Sequence, residues 1–188
     1  MRSKIKSLKR LLWFLGCLAI LGSGTVQNQY SHAAIQLGKP HPAAGNKTGN
    51  YISEGFFRGG DRSVTSVKLK NIRRAKSGKA ADAYERIVLD LTPNADNKAM
   101  VPYFQVQHAP QENRFVVSIW ADVAYDFDRT TVRRAFAKST HVKKLNIVPR
   151  VEDGLSVVEF VTHASKGRKP KVEVFQLNQP PRIIVDIL

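Results

Sequence analysis

The chain has 188 residues, with 30 Lys and Arg against 15 Asp and Glu, and a formal net charge of +15. This length suggests one ordinary domain with additional segments, and the basic balance favours anionic partners through long-range attraction. The single cysteine excludes a disulfide framework.

The first 33 residues have the pattern of a secretory signal peptide. Five basic residues precede an apolar run from Leu11 to Leu21, which is about half of the roughly 20 residues that a transmembrane helix needs. A basic start followed by a short apolar core is typical of an exported protein. The small residues Ser31 and Ala33 predict cleavage after Ala33, with Gly22-Ser23-Gly24 as an earlier alternative.

Cys17 lies inside this leader. Phe14-Leu15-Gly16-Cys17 loosely matches a lipobox, which leaves a lipoprotein as the alternative to a core cysteine that is lost with the signal. After cleavage no thiol remains, so the mature protein is expected to contain no disulfide, thiolate metal site or cysteine nucleophile. We expect it in the periplasm, touching the membrane only through an uncleaved signal segment.

Residues 34–62 are rich in Gly, Pro, Ala and Asn and show no sustained period. This composition predicts a flexible tether. An aromatic and apolar patch near its end is expected to dock on the following domain, and consists of Tyr51, Ile52, Phe56 and Phe57.

From residue 63 onward, short runs rich in Val, Ile and Phe alternate with turn-forming stretches, which predicts an all-β domain over residues 63–188. Thr130 is expected to cap a short helix with Val132 and Phe136 on one face. The predicted strands are Val64–Ile72, Glu85–Leu91, Tyr103–Gln107, Arg114–Trp120, Val142–Val148, Leu155–Thr162, Val172–Leu177 and Arg182–Leu188.

The strands repeat in order and type at an offset of roughly 70 residues, so that residues 63–121 and 141–188 form two similar halves. Phe104-Gln105-Val106 followed by Pro110 and Arg114 matches Phe175-Gln176-Leu177 followed by Pro180 and Arg182. Four strands cannot bury both faces of a sheet, whereas two packed sheets can. The predicted fold is therefore a β-sandwich of two similar four-stranded sheets, related by the internal repeat, with the short helix between the halves.

No residue pattern predicts catalysis or a cofactor. The five histidines lack a second ligand at metal spacing, and no nucleophile or phosphate-loop motif is found. Asp122, Asp126 and Asp128 could provide paired carboxylates for glycoside hydrolysis, but a position at the start of a helix explains them better. We expect no enzyme activity, no metal and no cofactor.

Alternation along two strands predicts a binding face, because successive strand side chains point to opposite sides of a sheet. An outward arginine presents a planar fork to a carboxylate, whereas the alternative is a cross-strand ion pair worth under about 1 kcal/mol. The residues expected to face outward are Arg86, Val88 and Asp90 on one strand and Arg182, Ile184, Asp186 and Leu188 on the other.

The segment from Val172 to Ile187, VEVFQLNQPPRIIVDI, resembles the signature of the AMIN (amidase N-terminal) domain. In that signature a strand ends in Phe-x-Leu, a Pro-Arg turn follows, and the next strand carries an Asp after two branched residues. The resemblance covers Val64 to Leu188. It implies two symmetric four-stranded sheets and a role in binding peptidoglycan or localising a partner on it, in exported amidases, pilus secretins and other envelope proteins.

The first half departs from this signature. Arg86, Val88 and Asp90 carry it on the second strand, whereas the fourth strand keeps Arg114 but has Ser118 in place of the acid. The zinc hydrolase domain of the family's amidases is not found in this sequence. The expected function is thus a non-catalytic envelope module that binds peptidoglycan and no nucleic acid. The alternative is a protein-interaction subunit of a pilus or secretion assembly, with secretin-type or amidase-type partners.

Overall fold

The computed structural model describes residues 40–78, 83–93, 99–151, 154–164 and 169–188. The predicted signal peptide, its cleavage site and Cys17 lie outside these residues.

Eleven strands, one α-helix and a 3-10 turn at Pro110–Glu112 make up the described part of the chain, which confirms the all-β class. The helix, α1, spans Arg129–Phe136. The strands are β1 His41–Pro42, β2 Gly55–Gly59, β3 Ser66–Ser77, β4 Tyr84–Pro93, β5 Phe104–Ala109, β6 Arg114–Trp120, β7 Asp122–Tyr125, β8 Val142–Val151, β9 Leu155–Thr162, β10 Val172–Asn178 and β11 Pro181–Ile187.

The strands form two sheets, one of six strands in the order β1-β2-β5-β6-β9-β8 and one of five in the order β10-β11-β4-β3-β7. The prediction of four strands in each sheet therefore missed β1, β2 and β7. The first two come from a stretch with no strand periodicity, and β7 has only four residues. Each sheet also combines strands from both halves of the sequence, because β6 pairs with β9 and β4 pairs with β11.

One hydrophobic core lies between the sheets, in a sandwich-like arrangement. Alternate residues of β6 and β9 point into it, as the sequence pattern predicts. The rings of Phe115 and Phe160 stack there with centroids 4.5 Å apart, and Phe136 of α1 packs on Phe160 at 5.8 Å. Strand β11 supplies Ile183, Val185 and Ile187 to the same core.

Helix α1 begins at an aspartate rather than at the predicted threonine. The carboxylate of Asp128 accepts hydrogen bonds from the backbone N–H groups of Thr130 at 2.9 Å and Thr131 at 3.1 Å. An acceptor before the first turn satisfies amides that have no partner within the helix. As predicted, Val132 and Phe136 form the buried face of the helix.

Residues 40–62 fold onto the sheets, whereas their composition predicts a flexible tether. Strand β2 pairs antiparallel with β5, and Phe57 is buried in the core. Gly60 follows with φ +77°, where a Cβ atom would lie 2.0 Å from the carbonyl oxygen of Pro102. Only glycine fits this close approach and this backbone conformation. The segment thus folds through contacts with residues distant in sequence. Its amino-acid composition does not encode those contacts.

Candidate binding face on the five-stranded sheet

The predicted face residues of β4 and β11 lie directly opposite one another on the outer side of the five-stranded sheet. Arg182 is paired in register with Asp90, Ile184 with Val88, and Asp186 with Arg86. Strand β10 adds Leu177, Phe175 and Glu173 beside the same three rows. The outcome is an apolar middle row with charged residues on either side.

Asp186 and Arg86 form a two-bond ion pair at one end of this face. The Nε and Nη2 groups of Arg86 donate to the two carboxylate oxygens of Asp186 at 2.7 and 2.8 Å. The hydrogen bonds to Asp186 raise the pKa of Arg86 above its ordinary value. Its guanidinium also lies 5.2 Å from the ring centroid of Phe175 and 5.3 Å from that of Tyr84. Arg86 is therefore already bound to an internal carboxylate.

Residues 43–52, which we call the covering segment, lie across this end of the face. The ammonium of Lys47 is 3.2 Å from Asp186 and 3.4 Å from the ring centroid of Tyr84. Burial lowers the pKa of Lys47, but its interactions with Tyr51, Tyr84 and Asp186 outweigh that effect and raise it overall. The ammonium therefore stays charged and anchors the segment through charge and a cation–π contact.

Glu173 holds the covering segment at a second point. Its Oε1 accepts hydrogen bonds from the backbone N–H of Thr48 at 2.6 Å, the Thr48 hydroxyl at 2.9 Å and the N–H of Gly49 at 2.8 Å. Its Oε2 is buried and has no hydrogen-bond partner among the described residues. The backbone N–H of Gln176 also donates to the carbonyl of Ala44 at 2.9 Å.

The covering segment buries much of the face that the sequence pattern predicts to point outward. Asp186 is 0% exposed, Ile184 3% and Val88 8%. Ile184, Val88 and Phe175 form a small apolar cluster beneath Ala44, separate from the main core. Side chains of β4 and β11 alternate between the core and the outer side of the sheet, as predicted. The outer side is nevertheless largely buried as well, because residues distant in sequence lie over it.

The other end of the face is more open. Asp90 is held by Arg73, whose Nη2 donates to Oδ1 at 2.8 Å while its Nε bonds Oδ2. The Nε of Arg182 also lies 3.1 Å from Oδ1 of Asp90, as an ion pair, but this buried Nε has no hydrogen-bond partner among the described residues. Two arginines thus share one carboxylate. The Arg182 side chain is 33% exposed and retains donors for a second anion.

Two predicted residues lie elsewhere. Arg114 is on β6, in the six-stranded sheet, where it bonds Glu159 at 3.1 Å and also pairs with Glu112. Leu188 follows β11 and is partly exposed at the end of the strand. Neither joins the rows formed by β4 and β11. The first-half and second-half versions of the motif are thus on adjacent strands of one sheet, while Arg114 belongs to the other.

Sequence reasoning missed four polar residues of this face. Alternation along β3 could have found Arg73, which lies opposite Val88. Lys47 gave no signal because it lies in a Gly- and Asn-rich stretch. Tyr84 precedes the predicted strand Glu85–Leu91, and Glu173 lies inside the quoted motif but was given no role there. The roles of both residues depend on the covering segment.

Two of the three aspartates considered for hydrolysis have other roles. Asp128 caps α1, and Asp126 pairs with Lys70 at 3.2 Å. Across the described ranges, no group of three or more His, Cys, Asp or Glu side chains could hold a metal ion. In the same part of the chain no helix has the length and apolar character needed to cross a membrane.

Comparison with known proteins gives no match, since no family model, curated protein or solved structure is significantly similar to this chain. Any functional assignment must therefore come from the residues and geometry described above.

Proposed function

We propose that this protein is a non-catalytic, exported cell-envelope module of the AMIN type that binds peptidoglycan, or localises a partner on it, from the periplasm. Supporting this are the signal-like leader, the motif from Val172 to Ile187 and the basic charge of the chain. In the envelope, the stem peptides of peptidoglycan offer free carboxylates that a basic surface attracts.

The observation that carries the proposal is the partly exposed guanidinium of Arg182, which shares its carboxylate partner with a second arginine. Asp90 already accepts two hydrogen bonds from Arg73, and the Nε of Arg182 lies 3.1 Å from the same carboxylate without a hydrogen bond. Leu177 lies across from Arg182 on β10 and is partly exposed, whereas Ile184 is buried beneath the covering segment. A ligand carboxylate can bind the fork while an adjacent methyl group contacts Leu177. Arg86 and Asp186 have a supporting role, because they hold the covering segment in place.

We further infer that the two sheets derive from an internal repeat. The repeat matches β3, β4, β5 and β6 with β8, β9, β10 and β11, in that order. Without the edge strands β1, β2 and β7, one sheet has the order β5-β6-β9-β8 and the other has the order β10-β11-β4-β3. Replacing each strand of the first order by its match gives the second. Under this correspondence β1, β2 and β7 are additions at the edges of two four-stranded units.

The test is sedimentation of the purified protein with protein-free sacculi. Arg182→Ala should reduce the pelleted fraction at least fivefold, because it deletes the carboxylate fork. Arg58→Ala, an exposed strand arginine of the six-stranded sheet, should pellet like the wild type. Added salt should weaken binding of the wild type, since exposed charge attraction is screened. A folded Arg182→Ala protein that pellets fully would remove this residue from the binding site, and release of soluble fragments would contradict a non-catalytic role.

An alternative function, as an interaction subunit of a pilus or secretion assembly, has one specific observation in its favour. Trp120 at the end of β6 is 38% exposed and packs beside Tyr103 with ring centroids 5.2 Å apart. The guanidinium of Arg62 lies 4.8 Å from the Tyr103 ring. Exposed Trp, Tyr and Arg clusters are typical of protein interfaces. Failure of the wild type to pellet with sacculi would favour this alternative.

A further inference from the structure

A groove runs between α1 and β8, on a side of the molecule that the proposed peptidoglycan site does not use. Helix α1 packs against both β3 and β8, so it bridges the two sheets beside the last strand of the six-stranded sheet. A cavity of about 270 Å³ lies between the helix and this strand, with Phe136 and Leu145 in its lining. A smaller cavity continues along the helix to Ile147. Both include Arg133 and Leu145, so they form one groove, in which Ala137 and Ile147 are the apolar residues with exposed surface.

The rim of the groove is basic. Its cations are Arg129, Arg133, Lys143 and Lys144. None of them forms an ion pair with a carboxylate among the described residues, whereas seven other cations do. Four positive charges beside an apolar lining favour an anionic partner that also carries apolar groups.

The nearest acids do not neutralise this rim. Asp128 is occupied in capping α1, and Asp126 pairs with Lys70. Glu159 on the neighbouring strand bonds Arg114 and the side-chain amide of Asn146, and it also attracts Lys144. The positive charge most available to a ligand is therefore that of Arg129, Arg133 and Lys143.

Strand β8 also has an unpaired edge. Within the described residues it pairs only with β9, so its other side presents free backbone N–H and C=O groups. The register shifts at residues 142–144 and again at 148–151, which leaves a regular stretch from Lys144 to Val148. Pro149 follows and lacks an N–H. The stretch can accept one added strand of about five residues.

We propose that this groove binds an extended acidic peptide segment of a partner protein, which adds as a strand to the edge of β8. Apolar side chains of the segment would contact Ala137 and Ile147, and its carboxylates would meet Arg133, Lys143 and Lys144. Backbone hydrogen bonds would provide affinity, and the alternation of acidic and apolar residues would provide selectivity. This site is independent of Arg182 and of peptidoglycan.

The test uses a fluorescein-labelled hexapeptide that alternates Glu and Val, with binding to the full chain followed by fluorescence anisotropy at low salt. The double substitution Arg133→Glu with Lys143→Glu should weaken binding at least tenfold. The matched control is Arg134→Glu with Lys138→Glu, which makes the same change in charge at exposed positions outside the groove lining. It should change binding less than twofold. A hexapeptide alternating Lys and Val should not bind.

Two further probes separate strand addition from simple charge attraction. N-methylation of alternate amides leaves the peptide charge unchanged but removes the backbone donors, so it should abolish binding. A single-stranded oligonucleotide of equal charge should bind more weakly than the Glu–Val peptide. Equal loss of binding in both double variants, full binding of the N-methylated peptide, or tighter binding of the oligonucleotide would each overturn the proposal. Sedimentation with sacculi should be unchanged in the groove variant, which separates this test from that of the proposed function.

Discussion

Arg86 and Arg182 lie at opposite ends of one sheet face, and losing either arginine should affect stability differently. Its partner Asp186 is fully buried, whereas Arg182 at the other end is one-third exposed beside an acid that Arg73 already satisfies. Removing one member of a buried pair leaves an uncompensated charge. Removing Arg182, by contrast, leaves a carboxylate that retains another partner.

We therefore predict that Arg86→Ala lowers the free energy of unfolding by about 3 kcal/mol, since it leaves the buried Asp186 with only Lys47 nearby. Arg182→Ala should cost less than about 1 kcal/mol. Urea unfolding followed by far-ultraviolet circular dichroism measures both. An Arg86→Ala protein as stable as the wild type would contradict the buried pairing seen here.

His108 makes stability depend on pH. It is buried on β5 and its Nδ1 has no partner among the described residues. Burial lowers its pKa from 6.5 to about 4. Between these values the unfolded chain binds the proton more tightly than the folded one, so stability is complete above about pH 6.5 and falls as the pH decreases.

For His108 we predict a loss of about 2 kcal/mol of stability between pH 7 and pH 5. His108→Phe should flatten that part of the profile, because it removes the titrating group and keeps an aromatic ring. His163→Gln, at an exposed position, should retain the wild-type slope. Urea unfolding at intervals of half a pH unit provides the measurement, and identical slopes for His108→Phe and the wild type would refute this assignment.

At the scale of elements, the covering segment depends on Glu173 of β10. The amides of Thr48 and Gly49 both donate to one of its oxygens. An amide hydrogen bonded to a buried carboxylate exchanges with solvent only when the segment opens. Glu173→Leu removes the acceptor, whereas Glu173→Gln retains a carbonyl oxygen.

Hydrogen exchange measured by NMR should show protected Thr48 and Gly49 amides in the wild type. In Glu173→Leu their exchange should accelerate at least tenfold, while the amides of β11 stay protected. Glu173→Gln should remain close to the wild type. Unprotected Thr48 and Gly49 amides in the wild type would show that the segment does not lie on the sheet as described.

The strands were predictable from the sequence, but the partners that cover them were not. All eight predicted strands form, because alternation of apolar and polar residues directly reflects a pleated strand with one buried face. Alternation also separates Ile183 and Val185 from Arg182 and Ile184. It cannot show that residues 43–52 cover the second face, because those contacts join positions more than 100 residues apart. Alternation also does not show which strands are neighbours, so it could not predict that Arg73 and Arg182 share Asp90.

At the scale of the whole molecule, the two sheets depend on both halves of the sequence. Strands β6 and β9 are paired along their length in one sheet, and β4 and β11 in the other. The core also crosses the division, because Phe115 from the first half stacks on Phe160 from the second. Each half alone would expose strand edges and the apolar sides of both sheets.

We predict that residues 40–125 and residues 126–188 do not fold when produced separately. Neither piece can bury its share of the core or complete either sheet, and unpaired apolar edges favour aggregation over folding. Each should give a circular dichroism spectrum without a cooperative thermal transition, and an equimolar mixture should regain the β spectrum and the transition of the intact chain. Val117→Ala in the first piece should destabilise the mixture by about 1–3 kcal/mol, because Val117 is fully buried where β6 meets β9. A cooperative transition in either piece alone would mean that one half forms its own sheet and core, contrary to the pairing of β6 with β9 and of β4 with β11.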